Sequence, residues 1–490
     1  MSKGVTPKSE NYSRWYTDVI TKAELADYGP VKGTMVIRPY GYQIWDRLKE
    51  SFDAEFKKTG HINAYFPLFI PKSFLAKESE HVDGFAKECA IITHSRLKHN
   101  DDKTDLIPDP DSKLEEEIIV RPTSETIIWS MYKKWIKSHR DLPILINQWA
   151  NVVRWEMRTR LFLRTSEFLW QEGHTAHATQ EEAQEETLKI LDIYKNTVEN
   201  ILGIPVICGK KTEAEKFAGA VDTYCIESMM GDKKALQAGT SHYLGQNFAK
   251  AFDVKFQDSD NKEKYVYATS WGVSTRLIGA LIMVHGDDKG LRLPPNIAPI
   301  QIVIVPIYKT DEEKEKINTF LNPITNELDD NNIRYYLDDR EKMSPGFKFN
   351  EWEMKGVPLR IEVGLRDIEN NVLTIVRRDT SEKNPLEFEK AKNSLVQLLG
   401  DIQSNLFNQA LQFQKDNTYE TENYDEFKSL IEKGAFIETF WDGDGETEMK
   451  IKSDTNATIR CILDMDNIEN KQCIYTANPA KYKVIFAKAY

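Results

Sequence analysis

The sequence predicts a multidomain protein of mixed α and β structure, and three observations support this α/β assignment. Apolar residues recur at helical spacing over residues 33–60, which predicts a long amphipathic helix ending at Gly60. Two adjacent prolines interrupt the pattern at residues 293–296 and indicate a domain break. Beyond this break, short apolar runs alternate with charged helical segments, as is typical of a compact α/β domain.

The elements before the break are predicted in chain order as follows. A strand over Ile62–Ile70 follows the first long helix and ends at Pro71. Residues 100–117 are charged and aperiodic, which predicts a solvated loop. Apolar runs alternate with polar turns over residues 117–170, which predicts strands, and residues 180–201 form a second amphipathic helix.

The elements after the break alternate between strands and helices. The strands are predicted at residues 300–307, 333–337, 358–364 and 372–377, and the helices at residues 311–321, 347–355 and from about 385 onward. Residues 406–490 begin with a helix rich in glutamine and asparagine and end in an apolar run. The length of 490 residues is enough for roughly two to four domains.

Composition and charge restrict the class of protein. The net charge is −12, which lowers the expectation of nucleic-acid binding without excluding a local basic surface. No apolar stretch is long enough for a transmembrane helix, and the polar N-terminus lacks the apolar core of a signal peptide. Five scattered cysteines fit a reducing compartment. These features predict a cytoplasmic protein without membrane contacts.

The segment from Gln148 to His177 carries the most specific pattern of charged and aromatic residues. Arg154 and Glu156 are two residues apart, which on a strand would place both on one face. Arg164 and Phe168 follow after a predicted loop. Two arginines can bind the phosphates of ATP, the carboxylate can accept from the adenine amino group, and the ring can stack on the base. The alternative is an exposed strand with a surface ion pair.

This segment resembles motif 2 of the class II aminoacyl-tRNA synthetases. The helix and strand ending at Pro71 resemble motif 1, which builds the dimer interface in that family, so the resemblance implies a homodimer. Residues 268–276, followed by an apolar helix, resemble motif 3, whose arginine contacts the γ-phosphate; Arg276 has that position. A cation at a helix N-terminus is unfavourable unless an anion is bound there.

Three further segments resemble the prolyl-tRNA synthetases, and this resemblance extends through essentially the whole chain. The segments are residues 121–125, 168–174 and 239–248. Thr123 and Glu125 in the first segment can both accept from the charged secondary amine of proline. A single histidine is more often structural than functional, but within these segments we interpret His174 and His242 as pocket residues.

The resemblance implies the following site residues and ligands. The catalytic residues are Arg154 and Arg276. The ATP-binding residues are Arg154, Glu156, Arg164, Phe168, Gln171, Gln237, Thr240 and Arg276. The proline-binding residues are Thr123, Glu125, Arg154, Trp170, Glu172, His174, His242, Ser270 and Gly272. The implied substrates and cofactors are ATP, Mg²⁺, L-proline and tRNA(Pro).

The resemblance also divides the chain into three domains. Residues 1–295 are expected to form a catalytic domain around an antiparallel sheet, residues 296–405 an α/β anticodon-binding domain, and residues 406–490 a small α+β domain. Glu362 and Arg366 are candidates for anticodon contacts, with strand-edge salt bridges as an equally good alternative.

The C-terminal domain departs from its family, in which four cysteines usually hold zinc. Residues 435–448 contain no cysteine, and only Cys461 and Cys473 remain in this domain. Two thiolates do not complete a tetrahedral zinc site, so we expect no metal. The resemblance implies that Tyr490 folds back toward the active site. The spacing between motif 2 and His242 leaves no room for the large editing insertion of one bacterial form.

Two rival hypotheses remain. A synthetase for threonine, glycine or histidine would share motifs 1 to 3 but differ in the pocket segments. A non-catalytic paralogue that binds tRNA would typically lack an arginine of motif 2 or 3, whereas Arg154, Arg164 and Arg276 are all present.

Overall fold

A computed structural model describes residues 4–75, 89–463 and 468–490 of the chain. The strands are β1 (Ala26–Tyr28), β2 (Met35–Ile37), β3 (Ile62–Asn63), β4 (Phe69–Pro71), β5 (Ala90–His94), β6 (Leu97–His99), β7 (Leu106–Pro108), β8 (Lys113–Val120), β9 (Ile144–Val153), β10 (Glu167–His177), β11 (Ile207–Lys210), β12 (Asp222–Met229), β13 (Ala235–Gly245), β14 (Lys255–Gln257), β15 (Glu263–Tyr265), β16 (Tyr267–Ser274), β17 (Ile302–Ile307), β18 (Tyr335–Leu337), β19 (Leu359–Gly364), β20 (Val372–Arg377), β21 (Lys383–Glu387), β22 (Thr418–Glu420), β23 (Phe436–Trp441), β24 (Thr458–Ile462) and β25 (Tyr482–Ala487).

Helices connect these strands. They span Tyr12–Lys22, Pro39–Lys58, Lys72–Leu75, Glu125–Trp135, Gln180–Leu202, Asn247–Ala251, Arg276–His285, Asp311–Asp330, Pro345–Met354, Leu365–Glu369, Phe388–Asp416, Tyr424–Lys433 and Gly445–Thr455. No helix in the described part of the chain combines the length and apolar character needed to span a membrane.

A large sheet organises the first and last parts of the chain. Its strand order within the described residues is β22-β23-β25-β24-β11-β12-β13-β16-β10-β9-β3. The strands from β24 to β9 pair antiparallel, which agrees with the antiparallel catalytic sheet expected from the sequence. The long strands β10, β13 and β16 lie side by side in its middle and carry most of the site described below.

The helix Gln180–Leu202 supports this sheet from one face. Thr179 and Glu182 form a capping box at its start, and Gly203 ends it in the left-handed conformation, so its bounds agree with the sequence prediction. Tyr194 of this helix packs with Phe56 and Trp271 in a fully buried aromatic cluster. Burying side chains of this size stabilises the fold by about 1.5–3 kcal/mol each.

The middle part of the chain forms a separate five-stranded sheet with the order β18-β17-β19-β20-β21 among the described residues. Strand β17 pairs parallel with β18 and β19, whereas β19, β20 and β21 pair antiparallel. This arrangement confirms the predicted alternation of strands and helices. The first helix of this domain continues to Asp330, well beyond the predicted end at residue 321, with Pro323 inside it.

The C-terminal strands join the catalytic sheet. Strand β24 pairs with β11 at Lys210 and Ile462, so one continuous sheet crosses both regions. The helix Phe388–Asp416 runs through residues 405 and 406, between which the sequence places a domain boundary. The two regions are therefore joined both by a helix and by backbone hydrogen bonds.

Several sequence predictions of elements are wrong in detail. The first long helix begins at Pro39, because Met35–Ile37 forms β2 against β1 and proline suits the first turn of a helix. The predicted strand Ile62–Ile70 is two short strands, β3 and β4, in different sheets. Residues 100–117 contain β7 and part of β8, and the predicted strands of residues 117–170 include the helix Glu125–Trp135.

Candidate active site

A cavity of about 320 Å³ lies against strands β10, β13 and β16. It brings together most of the residues singled out by the sequence. These are Thr123, Glu125, Arg154, Phe168, Trp170, Glu172, His174, Gln237, Thr240, His242, Ser270, Gly272 and Arg276. A smaller adjoining cavity of about 50 Å³ adds Glu156 and Arg164 and shares Arg154, Phe168 and Arg276 with the first.

Strand β10 places alternate side chains on opposite faces of the sheet. Phe168, Trp170, Glu172 and His174 line the cavity. Gln171 lies on the other face, where its side-chain amide donates to Asn147 (2.7 Å) and accepts from Tyr194 (2.6 Å). The assignment of Gln171 to ATP binding is therefore corrected: the residue is buried beneath the sheet and holds β9 and the supporting helix in place.

Arg154 lies just beyond the end of β9, which stops at Val153, so the prediction that Arg154 and Glu156 share a strand face is wrong. The guanidinium of Arg154 is oriented from two sides. Its Nε donates to the carbonyl of Pro122 (3.0 Å), and its central carbon lies 5.5 Å from the ring centroids of both Phe168 and Trp170. The arginine is thus held over aromatic faces at the cavity wall.

Arg164 follows in a tight turn whose base is the antiparallel bridge between Arg160 and Arg164. Its Nε lies 3.5 Å from a carboxylate oxygen of Glu156, and half of its side chain is exposed. Such a loose and accessible pair contributes little to stability. Arg164 therefore remains accessible to a ligand in the smaller cavity.

Arg276 begins the apolar helix Arg276–His285, as the sequence predicts. Among the described residues, its side chain donates only to the backbone carbonyls of Leu163 (3.3 Å) and Gln237 (3.4 Å). Burial, together with the nearby charges of Arg164 and Arg154, lowers the pKa of Arg276 to about 10. Three guanidinium groups thus converge where a polyanion would relieve their mutual repulsion.

Glu172 is a buried carboxylate at the other end of the cavity. It accepts from the Ser124 hydroxyl (2.5 Å) and the Gln148 side-chain amide (2.8 Å), and its second oxygen lies 2.9 Å from His174 Nε2. These contacts fix the carboxylate and the imidazole relative to each other. Both side chains face the cavity.

Glu125 is the second buried carboxylate at this end. The Thr123 hydroxyl donates to it, which brings together the two residues that the sequence pairs. The helix Glu125–Trp135 begins at this carboxylate, and a helix N-terminus favours a negative charge.

His242 is held between Phe217 and Thr223. Its ring stacks on Phe217 with a centroid distance of 4.6 Å, and its Nδ1 lies 2.9 Å from the Thr223 hydroxyl. Burial lowers the pKa of His242 to about 4, so the imidazole is neutral near pH 7. It adds an aromatic wall to the pocket without adding a positive charge.

Two small residues of β16 leave room and a free polar atom in the cavity. The buried Ser270 hydroxyl has no hydrogen-bond partner among the described residues, which leaves it available to a ligand. A Cβ at Gly272 would meet the Gln171 carbonyl at 3.1 Å, so a larger residue would push the strand or narrow the pocket.

The sequence reasoning missed several residues that line the cavity, among them Glu215, Phe217 and Thr223. Glu215 and Phe217 belong to the connection between β11 and β12, which carries no pattern typical of a binding loop. Their position depends on how this connection packs against β13, which is a long-range property of the fold.

The candidate anticodon residues differ in their surroundings. Glu362 is buried and pairs with Arg360 (3.0 Å) and Lys383 (2.7 Å), which corresponds to the alternative of strand-edge salt bridges. Arg366 lies in the short helix Leu365–Glu369 with an exposed side chain. Their contact with the anticodon stays a prediction.

The C-terminal region packs closely against the catalytic domain. Tyr490 donates its hydroxyl to Asp232 (2.7 Å), and the Arg160 guanidinium lies 5.3 Å from its ring centroid. Cys461 and Cys473 are buried in separate apolar clusters, and no group of three potential metal ligands occurs within residues 4–75, 89–463 and 468–490. The absence of zinc stays a prediction.

Comparison with known protein families matches three segments of the chain. Residues 107–285 match the tRNA synthetase class II core domain (G, H, P, S and T), and residues 301–398 match the anticodon binding domain. Residues 424–490 match the prolyl-tRNA synthetase C-terminal domain. The fold, the three converging arginines and the core match together define a class II aminoacyl-tRNA synthetase.

Curated relatives cover the chain from end to end. A proline–tRNA ligase of Phocaeicola vulgatus is 57% identical over 491 residues, covering 100% of this chain and 99% of the relative. One of Porphyromonas gingivalis is 56% identical with the same coverage, and one of Flavobacterium johnsoniae is 57% identical, with 100% of both chains covered. The chain belongs to the proline–tRNA ligase family.

Proposed function

We propose that this cavity is where the enzyme joins L-proline to tRNA(Pro) in two ATP-dependent steps, through prolyl-adenylate, releasing pyrophosphate and then AMP. One observation carries the proposal: three guanidinium groups and two buried carboxylates line two adjoining cavities. The cationic end suits a polyphosphate, and the carboxylate end suits a small ammonium ligand. A class II synthetase needs both at adjoining subsites.

The carboxylate end binds proline in this proposal. Glu125 and Glu172 accept from its secondary ammonium group, with Thr123 and Ser124 holding the carboxylates in position. Trp170, His174, His242, Ser270 and Gly272 enclose the compact ring. A buried charge-assisted contact of this kind is roughly twice as strong as a neutral hydrogen bond.

The cationic end binds ATP. Phe168 offers its face to the adenine, Glu156 accepts from the amino group, and Gln237 and Thr240 line the passage between the subsites. Arg154 stabilises the α-phosphate, while Arg164 and Arg276 hold the β- and γ-phosphates. Enzymes of this class use ATP with Mg²⁺, and Mg²⁺ at nucleotide sites is held largely by phosphates and water, so we treat Mg·ATP as the substrate.

The chemistry requires no nucleophilic side chain. The proline carboxylate attacks the α-phosphorus in line, and the bond to pyrophosphate breaks. A ribose hydroxyl at the 3′ end of the tRNA then attacks the mixed anhydride, and AMP leaves. Catalysis comes from positioning the reactants and neutralising the developing phosphate charge, with Arg154 and Arg276 as the catalytic cations.

The wider assignments follow from the same proposal. Residues 296–405 bind the anticodon of tRNA(Pro), with Glu362 and Arg366 as candidates, residues 1–295 form the catalytic domain, and residues 406–490 form a C-terminal domain without zinc. The enzyme is cytoplasmic, and metal analysis of the purified protein should find no stoichiometric zinc.

A homodimer is part of the proposal. Large apolar side chains are exposed along the segment that resembles motif 1: Ile62 (71% exposed), Tyr65 (71%) and Phe69 (52%). An exposed apolar patch of this kind marks an interface. Analytical ultracentrifugation should give twice the chain mass, and Tyr65→Asp should shift the population toward monomer; a purely monomeric wild-type enzyme would refute this part.

Pyrophosphate exchange with each of the twenty amino acids tests the main proposal. Proline should support strong exchange. Exchange driven by threonine, glycine or histidine would favour the rival specificities, and no exchange with any amino acid would favour a non-catalytic paralogue.

A further inference from the structure

A buried ion network joins the C-terminal region to the catalytic sheet. It consists of Lys211, Glu227 and Arg460, which we call the interdomain ion network. Lys211 Nζ lies 2.7 Å from Glu227 Oε1, and Arg460 contacts both carboxylate oxygens, through Nη2 (3.0 Å) and Nε (3.2 Å). Lys211 also donates to the backbone carbonyl of Arg460 (2.7 Å).

The network is unusual because its charged groups are almost entirely removed from solvent. The side chains of Lys211, Glu227 and Arg460 are 1%, 0% and 8% exposed. Burial alone would raise the pKa of Glu227, but Lys211 and Arg460 outweigh it and hold the pKa below its ordinary value. Two cations face one carboxylate, so the group carries a net positive charge inside the protein.

The network lies directly behind the proposed ATP subsite. Glu227 on β12 pairs with Gln237 on β13, next to a β-bulge in which Ala238 is the extra residue. A bulge changes the direction of the side chains around it, and here Gln237 and Ala238 both line the cavity. The Gln237 carbonyl accepts from Arg276, and the charges of Glu227 and Arg460 both act on the Arg276 guanidinium.

We infer that Arg460 is a positioning residue for ATP: from the C-terminal domain it fixes Glu227 and the adjacent bulge, and thereby sets Gln237 and Arg276 for the β- and γ-phosphates. The inference rests on the proposed function and adds a specific role for the C-terminal domain. The ionic contact between Arg460 and Glu227 affects nucleotide binding in this inference. It leaves proline binding at the other end of the cavity unaffected.

Three variants in the full-length enzyme test the inference. Arg460→Met removes the cation. Arg460→Lys keeps the positive charge but loses the planar guanidinium group that reaches both carboxylate oxygens of Glu227. Thr212→Val is the matched control, because it breaks a different interdomain hydrogen bond, from Thr212 to Glu448 (3.0 Å), and keeps the side chains of Lys211, Glu227 and Arg460. The measurement is the KM for ATP and the KM for proline in proline-dependent pyrophosphate exchange, with thermal unfolding as a check of the fold.

The expected result is specific for one substrate. Arg460→Met should raise the KM for ATP roughly 2- to 30-fold, the range found for residues that act through an intervening network, while the KM for proline stays unchanged. Arg460→Lys should give a smaller rise, and Thr212→Val no rise. If Arg460→Met does not fold, Arg460→Lys decides the test.

The inference is overturned if the KM values of both substrates rise equally, if Thr212→Val matches the Arg460 variants, or if a folded Arg460 variant keeps the wild-type KM for ATP. These outcomes are distinct from failure of the proposed function. If the proposed function is wrong, the wild-type enzyme itself will show no proline-dependent pyrophosphate exchange.

Discussion

The two ends of the cavity carry side chains of opposite charge. At one end Arg154 and Arg276 donate to backbone carbonyls, and Arg164 has a loose and accessible carboxylate partner in Glu156. At the other end Glu125 and Glu172 are buried and accept from hydroxyl and amide groups. Burial and the neighbouring arginines lower the pKa of Arg276, whereas burial lowers the pKa of His242 although the charge of Glu125 opposes this.

The difference indicates how two substrates of opposite charge are bound side by side. At each end, backbone carbonyls, hydroxyls or amides orient the charged groups. A polyphosphate therefore meets three guanidinium groups at one end, and an ammonium meets two buried carboxylates at the other. Charge of the wrong sign at either end should be costly, and four predictions probe this contrast.

The largest effect is expected at the cationic end. Arg154→Ala removes the group proposed to stabilise charge on the α-phosphate, and loss of one such preorganised donor typically lowers the rate about 10²- to 10³-fold. Pyrophosphate exchange should fall by this amount with an unchanged circular dichroism spectrum. Arg158→Ala, an exposed arginine of the same loop, should leave exchange intact. Near-normal exchange in Arg154→Ala would refute the role of Arg154.

A substitution at the anionic end should weaken the binding of proline. Glu125→Gln keeps the size of the side chain but removes its charge, and hydrogen bonds to charged groups contribute about 1.5–3 kcal/mol. The KM for proline should rise about 10- to 150-fold, while the KM for ATP stays constant. The exposed Glu167 at the start of β10 provides the control, Glu167→Gln. Equal effects of the two substitutions would remove the contrast between the ends.

Discrimination against alanine should be incomplete. Alanine carries the same charges as proline and lacks only the compact ring, and each methylene contributes only roughly 1–3 kcal/mol to selectivity. The enzyme should form alanyl-adenylate at high alanine concentration, and it should not hydrolyse alanyl-tRNA(Pro) itself, because the chain has no room for an editing insertion. Failure to detect alanyl-adenylate would contradict the prediction.

The smallest effect concerns the acid stability linked to His242. In the folded chain the pKa of His242 is lowered to about 4. Between roughly pH 4 and 6.5 the unfolded chain therefore binds a proton at this histidine that the folded chain does not bind. Stability should therefore rise with pH across this window and level off above it, by at most about 3 kcal/mol from this group. Burial lowers the pKa of His177 and His285 to about 4 as well, so His242→Asn should reduce the slope measured by chemical denaturation without abolishing it, whereas the exposed His139→Asn should leave it unchanged.

Part of the site was predictable from local patterns, and these patterns also argue against the assignment of Gln171 to ATP binding. Phe168, Trp170, Glu172 and His174 share a strand face, so the same two-residue period places Gln171 on the opposite face. By contrast, Phe217 lies in a connection without a recognisable pattern and reaches His242 only because the sheet brings β12 and β13 together.

The sequence by itself determined the motif arginines, the pair of Thr123 and Glu125 and the order of the three domains, because these depend on residue types within recognisable segments. Only the tertiary structure decided which of these residues share a cavity, how the connection before β12 closes it, and that Arg460 lies against Glu227. The physical reason is sequence distance. Contacts between residues more than two hundred positions apart arise from the packing of whole strands and leave no local pattern to read.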